Sequence, residues 1–252
     1  MNKKYVLLIA LIGLIILNVN AQDKVVLLDI SREDKAEYLK VSPEIFDQYQ
    51  DIIENQFGAT LIVNEDQEVG SKLLGRTDLL IVLSTLSSSP DKKKRTPDEI
   101  SSIINFVKNG GSLIFFTDED RRMNLEASGA NAIVKPFGFE FGNDLPMTRN
   151  VGAISFAGEF IKGRYELPYS GSRELKGGIP LSVMNAEGGH VHGAYMKLDN
   201  GGKIAAFGET MVGLFIGGVE FKMPDGNSLV WKGKDNNQFM KELIGWMLND
   251  SY

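Results

Sequence analysis

From Val25 to Leu113 short aliphatic runs alternate with stretches whose apolar residues recur every three to four positions, the pattern of parallel strands joined by crossover helices. Val25 to Ile30 and Leu79 to Leu83 are nearly all aliphatic, as expected of strands covered on both sides. Thr60 to Val63 and Ser112 to Thr117 complete the predicted set. Ser42-Pro43-Glu44 predicts a helix start, with an N-cap hydroxyl, a proline at the first helical position and an acid in the first turn. Ile45, Tyr49, Ile52 and Ile53 form its stripe, and Gly58 ends it. Thr96-Pro97-Asp98-Glu99 predicts a capping box, in which hydroxyl and carboxylate satisfy each other's free backbone donors. Ile100, Ile103, Ile104 and Val107 follow at helical spacing, and Gly110-Gly111 stops the helix just before the next strand.

A weaker helical pattern runs from Arg122 to Val134. Between Phe137 and Asp199 helical periodicity vanishes, glycine recurs, and aromatic and β-branched residues alternate with polar ones, which predicts antiparallel strands appended to the parallel sheet. Gly177-Gly178 and Gly217-Gly218 read as turns. Lys203 to Gly208 returns as a buried strand, Pro224-Asp225-Gly226-Asn227 reads as a hairpin turn, and a helix from about Asn237 to Leu248 closes the chain with Phe239, Met240, Leu243 and Met247 on one face. No repeat interrupts this order. The expectation is one α/β domain over residues 22–252, flavodoxin-like, with helices on both faces of a mainly parallel sheet and a β-rich insertion at 137–200.

The two ends and the charge change the picture. Lys3 and Lys4 precede an apolar run from Val6 to Leu17 and then Val19 and Ala21 as small residues, the layout of a signal peptide cleaved between Ala21 and Gln22. A run of roughly a dozen residues is too short for a spanning helix, which needs about 20. A periplasmic or secreted product without a stable membrane span is therefore expected. The chain has no cysteine, so neither disulfides nor thiol chemistry are available to it. Loss of Lys3 and Lys4 with residues 1–21 would leave 25 basic against 33 acidic groups, a net charge of −8 that repels nucleic acid. The basic run Lys92 to Arg95 reads as a solvated loop.

Asp78-Leu79-Leu80-Ile81-Val82, the Thr96 to Glu99 helix start and Phe106 to Ile114 together resemble the middle of class I glutamine amidotransferase-like domains. Gly201-Gly202-Lys203-Ile204-Ala205-Ala206-Phe207-Gly208-Glu209 is similar to the late strand of the non-catalytic branch, which includes ThuA-like proteins and the GIFT domain of gliding-motility components. The segment Phe239 to Leu248 is similar to that branch's terminal helix. The resemblance implies the fold and the cleft position. In its catalytic members the strand matching Leu113 to Thr117 leads to a turn bearing a nucleophilic cysteine. Here the turn reads Thr117-Asp118-Glu119-Asp120, which cannot attack an amide as a thiolate does.

Ligands of open parallel sheets bind outside the carboxyl ends of the strands. That edge should collect Asp29, Ser31, Arg32, Ser84, Thr85, Asp118, Glu119 and Glu209. Its carboxylates, Asp118, Glu119 and Glu209 above all, suit acid/base work, cation binding, hydrogen bonding to sugar hydroxyls, or helix capping. His190 and His192 stand two apart, so an extended backbone would aim both at one divalent metal ion, while a solvated glycine loop is the plainer expectation. No other cofactor is expected. Two functions follow: a non-catalytic module binding a small molecule, glycan or cell-envelope protein, with a carbohydrate link implied by the resemblance; or a periplasmic glycan hydrolase using the acids of this edge, with or without a metal held by His190 and His192.

Overall fold

The protein is described by a computed structural model over residues 24–86, 94–145, 152–167, 171–184, 188–222, 228–231 and 234–249; the leader and the 224–227 turn lie outside the described residues. The elements run β1 (Val25–Asp29), α1 (Lys35–Val41), α2 (Ile45–Gln50), a π-helical turn (Asp51–Gln56), β2 (Thr60–Asn64), α3 (Ser71–Leu74), β3 (Leu79–Val82), α4 (Pro97–Lys108) and β4 (Ser112–Phe116). Two short helices, α5 (Leu125–Ser128) and α6 (Ala130–Val134), lead into β5 (Glu140–Asp144), β6 (Ala153–Ser155), β7 (Glu166–Leu167), β8 (Arg173–Lys176), β9 (Ile179–Met184) and β10 (Val191–Lys197). After β11 (Lys203–Phe207) come α7 (Met211–Leu214), the hairpin β12 (Val219–Lys222) and β13 (Ser228–Trp231), and α8 (Lys234–Leu248).

Strands β2, β1, β3, β4 and β11 lie side by side and parallel, and β10, β9, β6 and β7 extend the same sheet antiparallel to one another. The order β2-β1-β3-β4-β11 reverses direction between β1 and β3, as in flavodoxin-like sheets. Helical side chains cover both faces. Tyr38, Tyr49, Ile52, Ile53, Phe239, Leu243 and Trp246 pack on one face, and Val69, Leu73, Ile103, Val107, Ala130 and Ile133 on the other. This double cover is why β3 and β4 are buried at every position. The antiparallel extension joins the same core, since Phe160 stacks on Trp246 of α8 with ring centroids 4.2 Å apart.

The outer strands are hydrogen-bonded to neighbouring helical segments. Glu54 accepts from the Leu61 N–H of β2, and Asp235 of α8 accepts from the Glu166 N–H of β7.

Several local expectations change. The Thr96 capping box forms in both directions. Ser42 is not a helix N-cap: α1 ends there, the Ser42 N–H donates to the Tyr38 carbonyl, and Glu44 opens α2 without a side-chain cap. Helix α1 was invisible in the apolar pattern because Tyr38 is its one buried side chain. The 122–134 pattern is broken in two at Gly129, which adopts φ 67°. Gly177 and Gly178, with φ 87° and 72°, make the tight turn between β8 and β9 that other residues adopt at a cost.

Candidate functional site

At the reversal between β1 and β3, Asp29 ends its strand buried. Its carboxylate accepts from Arg95 at 2.6 Å, from Asn64 at 2.9 Å and from the Ser31 N–H at 3.2 Å. Glu99 of α4 serves both the capping box and this cluster, accepting from Arg32 and from the Val69 N–H. Arg95 also lies 3.7 Å from Glu99. Arg95 overturns the reading of the basic run as solvated: Lys94 is exposed, but Arg95 is buried because two buried carboxylates need a cation. Among the described residues the Ser31 hydroxyl, Arg32 Nε, and Arg95 Nε and Nη1 have no hydrogen-bond partner. Ser84 is buried and receives the Tyr38 hydroxyl on its carbonyl, while the Thr85 hydroxyl donates to the Arg122 carbonyl.

After β4 the three consecutive acids each meet an arginine. Asp118 pairs with Arg122 at 3.2 Å, Glu119 with Arg121 at 2.6 Å, and Asp120 with Arg173 at 2.5 Å. Arg173 comes from β8 and is 1% exposed, yet Asp120 is 70% exposed. The same guanidinium donates to the carbonyls of Asp118 and Met123. It thereby clamps the turn to the β-rich insertion. Burial pushes the Asp118 carboxyl up to about 7, with Arg122 opposing the rise and the charge of Glu209 adding to it. Asp118 and Glu209 thus sense each other across the ends of β4 and β11.

Glu209 leads to a buried polar chain. Its Oε1 lies 2.7 Å from His192 Nε2, and His192 Nδ1 lies 2.8 Å from the Ser182 hydroxyl. Both ring nitrogens are thus engaged, and the tautomer of His192 sets which partner of each pair donates. The other Glu209 oxygen accepts from the Met211 N–H at the start of α7. Local irregularity aims the ring: the β9 and β10 register shifts between Val191 and Gly193, the mark of a bulge at His192. Gly193 lets the strands close up here, since a Cβ there would sit 2.3 Å from the Phe207 ring.

The two histidines part company. His192 is fully buried in β10 with both ring nitrogens engaged, whereas His190 is exposed and precedes the strand. Among the described residues no group of three or more His, Asp or Glu side chains is arranged to hold a metal ion.

The sequence-derived residues of the edge therefore fall into an Asp29 cluster, with Ser31, Arg32, Ser84 and Thr85 beside it, and an Asp118 cluster with Glu119 and Glu209. Arg122 bridges them, holding Asp118 through its guanidinium and Thr85 through its carbonyl. Sequence reading missed Arg95, Glu99, Arg122, Arg173 and Ser182. Arg121 and Arg122 directly follow the acids and were a readable signal; Arg173 and Ser182 reach the site only through the fold. Chemically, Ser182 has the partners of an activated hydroxyl but no exposed surface, so no substrate reaches it in this conformation.

No family model matches the chain, nor does any curated protein. Among solved structures, a protein described as ThuA-like from Bacteroides uniformis superposes with a TM-score of 0.55 and 11% identity, over 90% of this chain and 93% of that one. A protein from Thermoplasma acidophilum, described as a GMP synthase component, gives a TM-score of 0.51 and 10% identity, over 90% of this chain and 96% of that one. The chain shares the α/β fold of these two proteins, with an antiparallel extension on a mostly parallel core.

Proposed function

We propose that the chain is an exported, non-catalytic binding or interaction module on an amidotransferase-like scaffold of the ThuA-like and GIFT-domain kind. It holds a small molecule, a glycan or a cell-envelope protein at the carboxyl edge of its parallel strands. The observation that carries this reading is the turn after β4. In the turn where the resemblance implies a cysteine, Asp118 is buried against Arg122, and its two acidic neighbours each pair with an arginine. A charge-balanced, hydrogen-bonded edge is rigid and recognises by shape and hydrogen bonds. Export to the periplasm or beyond rests on the leader pattern, and no helix among the described residues is long and apolar enough to cross a membrane. Incubation of the mature protein with a panel of oligosaccharides, with and without divalent metals, should show binding without turnover. Product formation would overturn the reading.

One observation favours a second reading, glycan hydrolysis. A carboxyl raised to about 7 beside a second acid is matched to general-acid work near neutral pH. Under that reading Asp118→Ala and Glu209→Ala each abolish the activity. If both leave it intact, hydrolysis by these acids is excluded.

A further inference from the structure

We infer that a second site, for a neutral and hydroxyl-rich small molecule of sugar-like chemistry, lies at the opposite, amino edge of the parallel strands. A cavity of about 450 Å³ opens there between α3, α4, the glycine turn before β4 and the end of α8. Its volume falls in the range of roughly 300–1,000 Å³ typical of small-molecule sites.

Its wall carries hydrogen-bonding capacity that the fold leaves unspent. The side chains of Ser71, Ser102, Asn105 and Asn109 line the cavity and make no hydrogen bond among the described residues. Their neighbours are engaged: Thr77 donates to the Leu73 carbonyl, and Ser112 to the Met247 carbonyl. Amides and hydroxyls both donate and accept, which matches a hydroxyl-bearing ligand.

Charge narrows the class. The charged groups of the lining are Lys24 and Asp78, which pair with each other at 3.0 Å, so an ionic ligand finds no unmatched counter-charge. Helices α4 and α8 both end at this edge, and the last carbonyls of α8 are already engaged, Trp246 and Asn249 by the Lys203 ammonium and Met247 by the Ser112 hydroxyl, so this helix end offers a ligand no bare charge. The remaining wall is apolar, built from Leu74, Phe106, Met247 and Leu248. The Phe106 ring is held against Gly111, where a Cβ would sit 2.3 Å from it. A flat, fixed aromatic beside free amides suits a ring with C–H faces and hydroxyl edges.

Amide chemical shifts of the mature protein, titrated with glucose and maltose up to ~50 mM, test the site across the millimolar affinity range. Glucuronate serves as the charged comparator. Expected are shifts at Gly75, Thr77, Asn105 to Gly111 and Gly201, with glucuronate bound at least tenfold more weakly. The double variant Asn105→Ala/Asn109→Ala, both exposed at the end of α4, should weaken binding by roughly tenfold and leave the melting temperature unchanged. No shifts, or a double variant that binds as the parent does, overturn the inference. Shifts confined to the surroundings of Asp118 and Glu209 overturn it too, while leaving the carboxyl-edge proposal standing.

Discussion

Replacing Arg173 by methionine removes the guanidinium that ties the turn after β4 to the insertion while keeping most of the buried stem. Two costs add. The ion pair with Asp120 is lost, but Asp120 is 70% exposed, and an exposed carboxylate returned to water costs ~0–1 kcal/mol. The carbonyls of Asp118 and Met123 also lose their donor, and a buried acceptor left unpaired costs about 1–3 kcal/mol. With two such carbonyls the sum is about 2–7 kcal/mol, dominated by the carbonyls. For a chain of this length each kcal/mol lowers the melting temperature by ~2–4 °C, so calorimetry should register a fall of roughly 4–28 °C. Asp120→Asn, which removes the ion pair and spares the carbonyl bonds, should cost less than ~1 kcal/mol. If the two variants melt together, or Arg173→Met melts within about 3 °C of the parent, Arg173 does not act as a clamp.

Three further outcomes are expected. Asp118 prefers its protonated form when folded, since its carboxyl rises from 3.8 to about 7, so its contribution to stability is present at low pH and lost as pH rises through about 7. The urea midpoint of the parent should therefore fall relative to that of Asp118→Asn between these two values, and a constant difference refutes the assignment. Thr96→Ala should cost about 1 kcal/mol in urea unfolding through loss of the capping box, with Thr96→Ser restoring most of it. Gly58 and Gly129 both have positive φ, but a Cβ at Gly129 would sit 2.7 Å from Ile100 whereas Gly58 faces open space. Gly58→Ala should cost about 1–2 kcal/mol from backbone strain alone, and Gly129→Ala measurably more; equal costs would show that the contact with Ile100 relaxes freely.

What could be read along the chain was whatever depends on neighbours in sequence. The aliphatic runs at Val25, Leu79 and Ser112 and the reciprocal cap at Thr96 are local, and the structure keeps them. The carboxyl edge was legible because strand ends fix where Asp29, Asp118 and Glu209 must lie once the sheet is parallel. The cations that complete it were not. Arg95 follows three lysines in sequence, and nothing local separates this side chain, which turns inward to Asp29, from its exposed neighbour Lys94. Ser182 is one of many serines until a register shift in β10 brings His192 onto it. Likewise Ser42 has an N-cap's sequence context, but α1, which leaves little trace in the apolar pattern, claims it as a C-terminal cap.

The hydrogen bonds that Glu54 accepts from β2 and Asp235 accepts from β7 place a carboxylate against an outward N–H at each margin of the sheet. A foreign strand approaching either margin would have to displace a carboxylate acceptor already seated on the backbone it needs, and among the described residues β7 offers it two to pair with. Fibrous growth by backbone pairing is disfavoured on both flanks. An association through this nine-stranded sheet must then be written in side chains, on its broad faces and loop ends, where it can be selective.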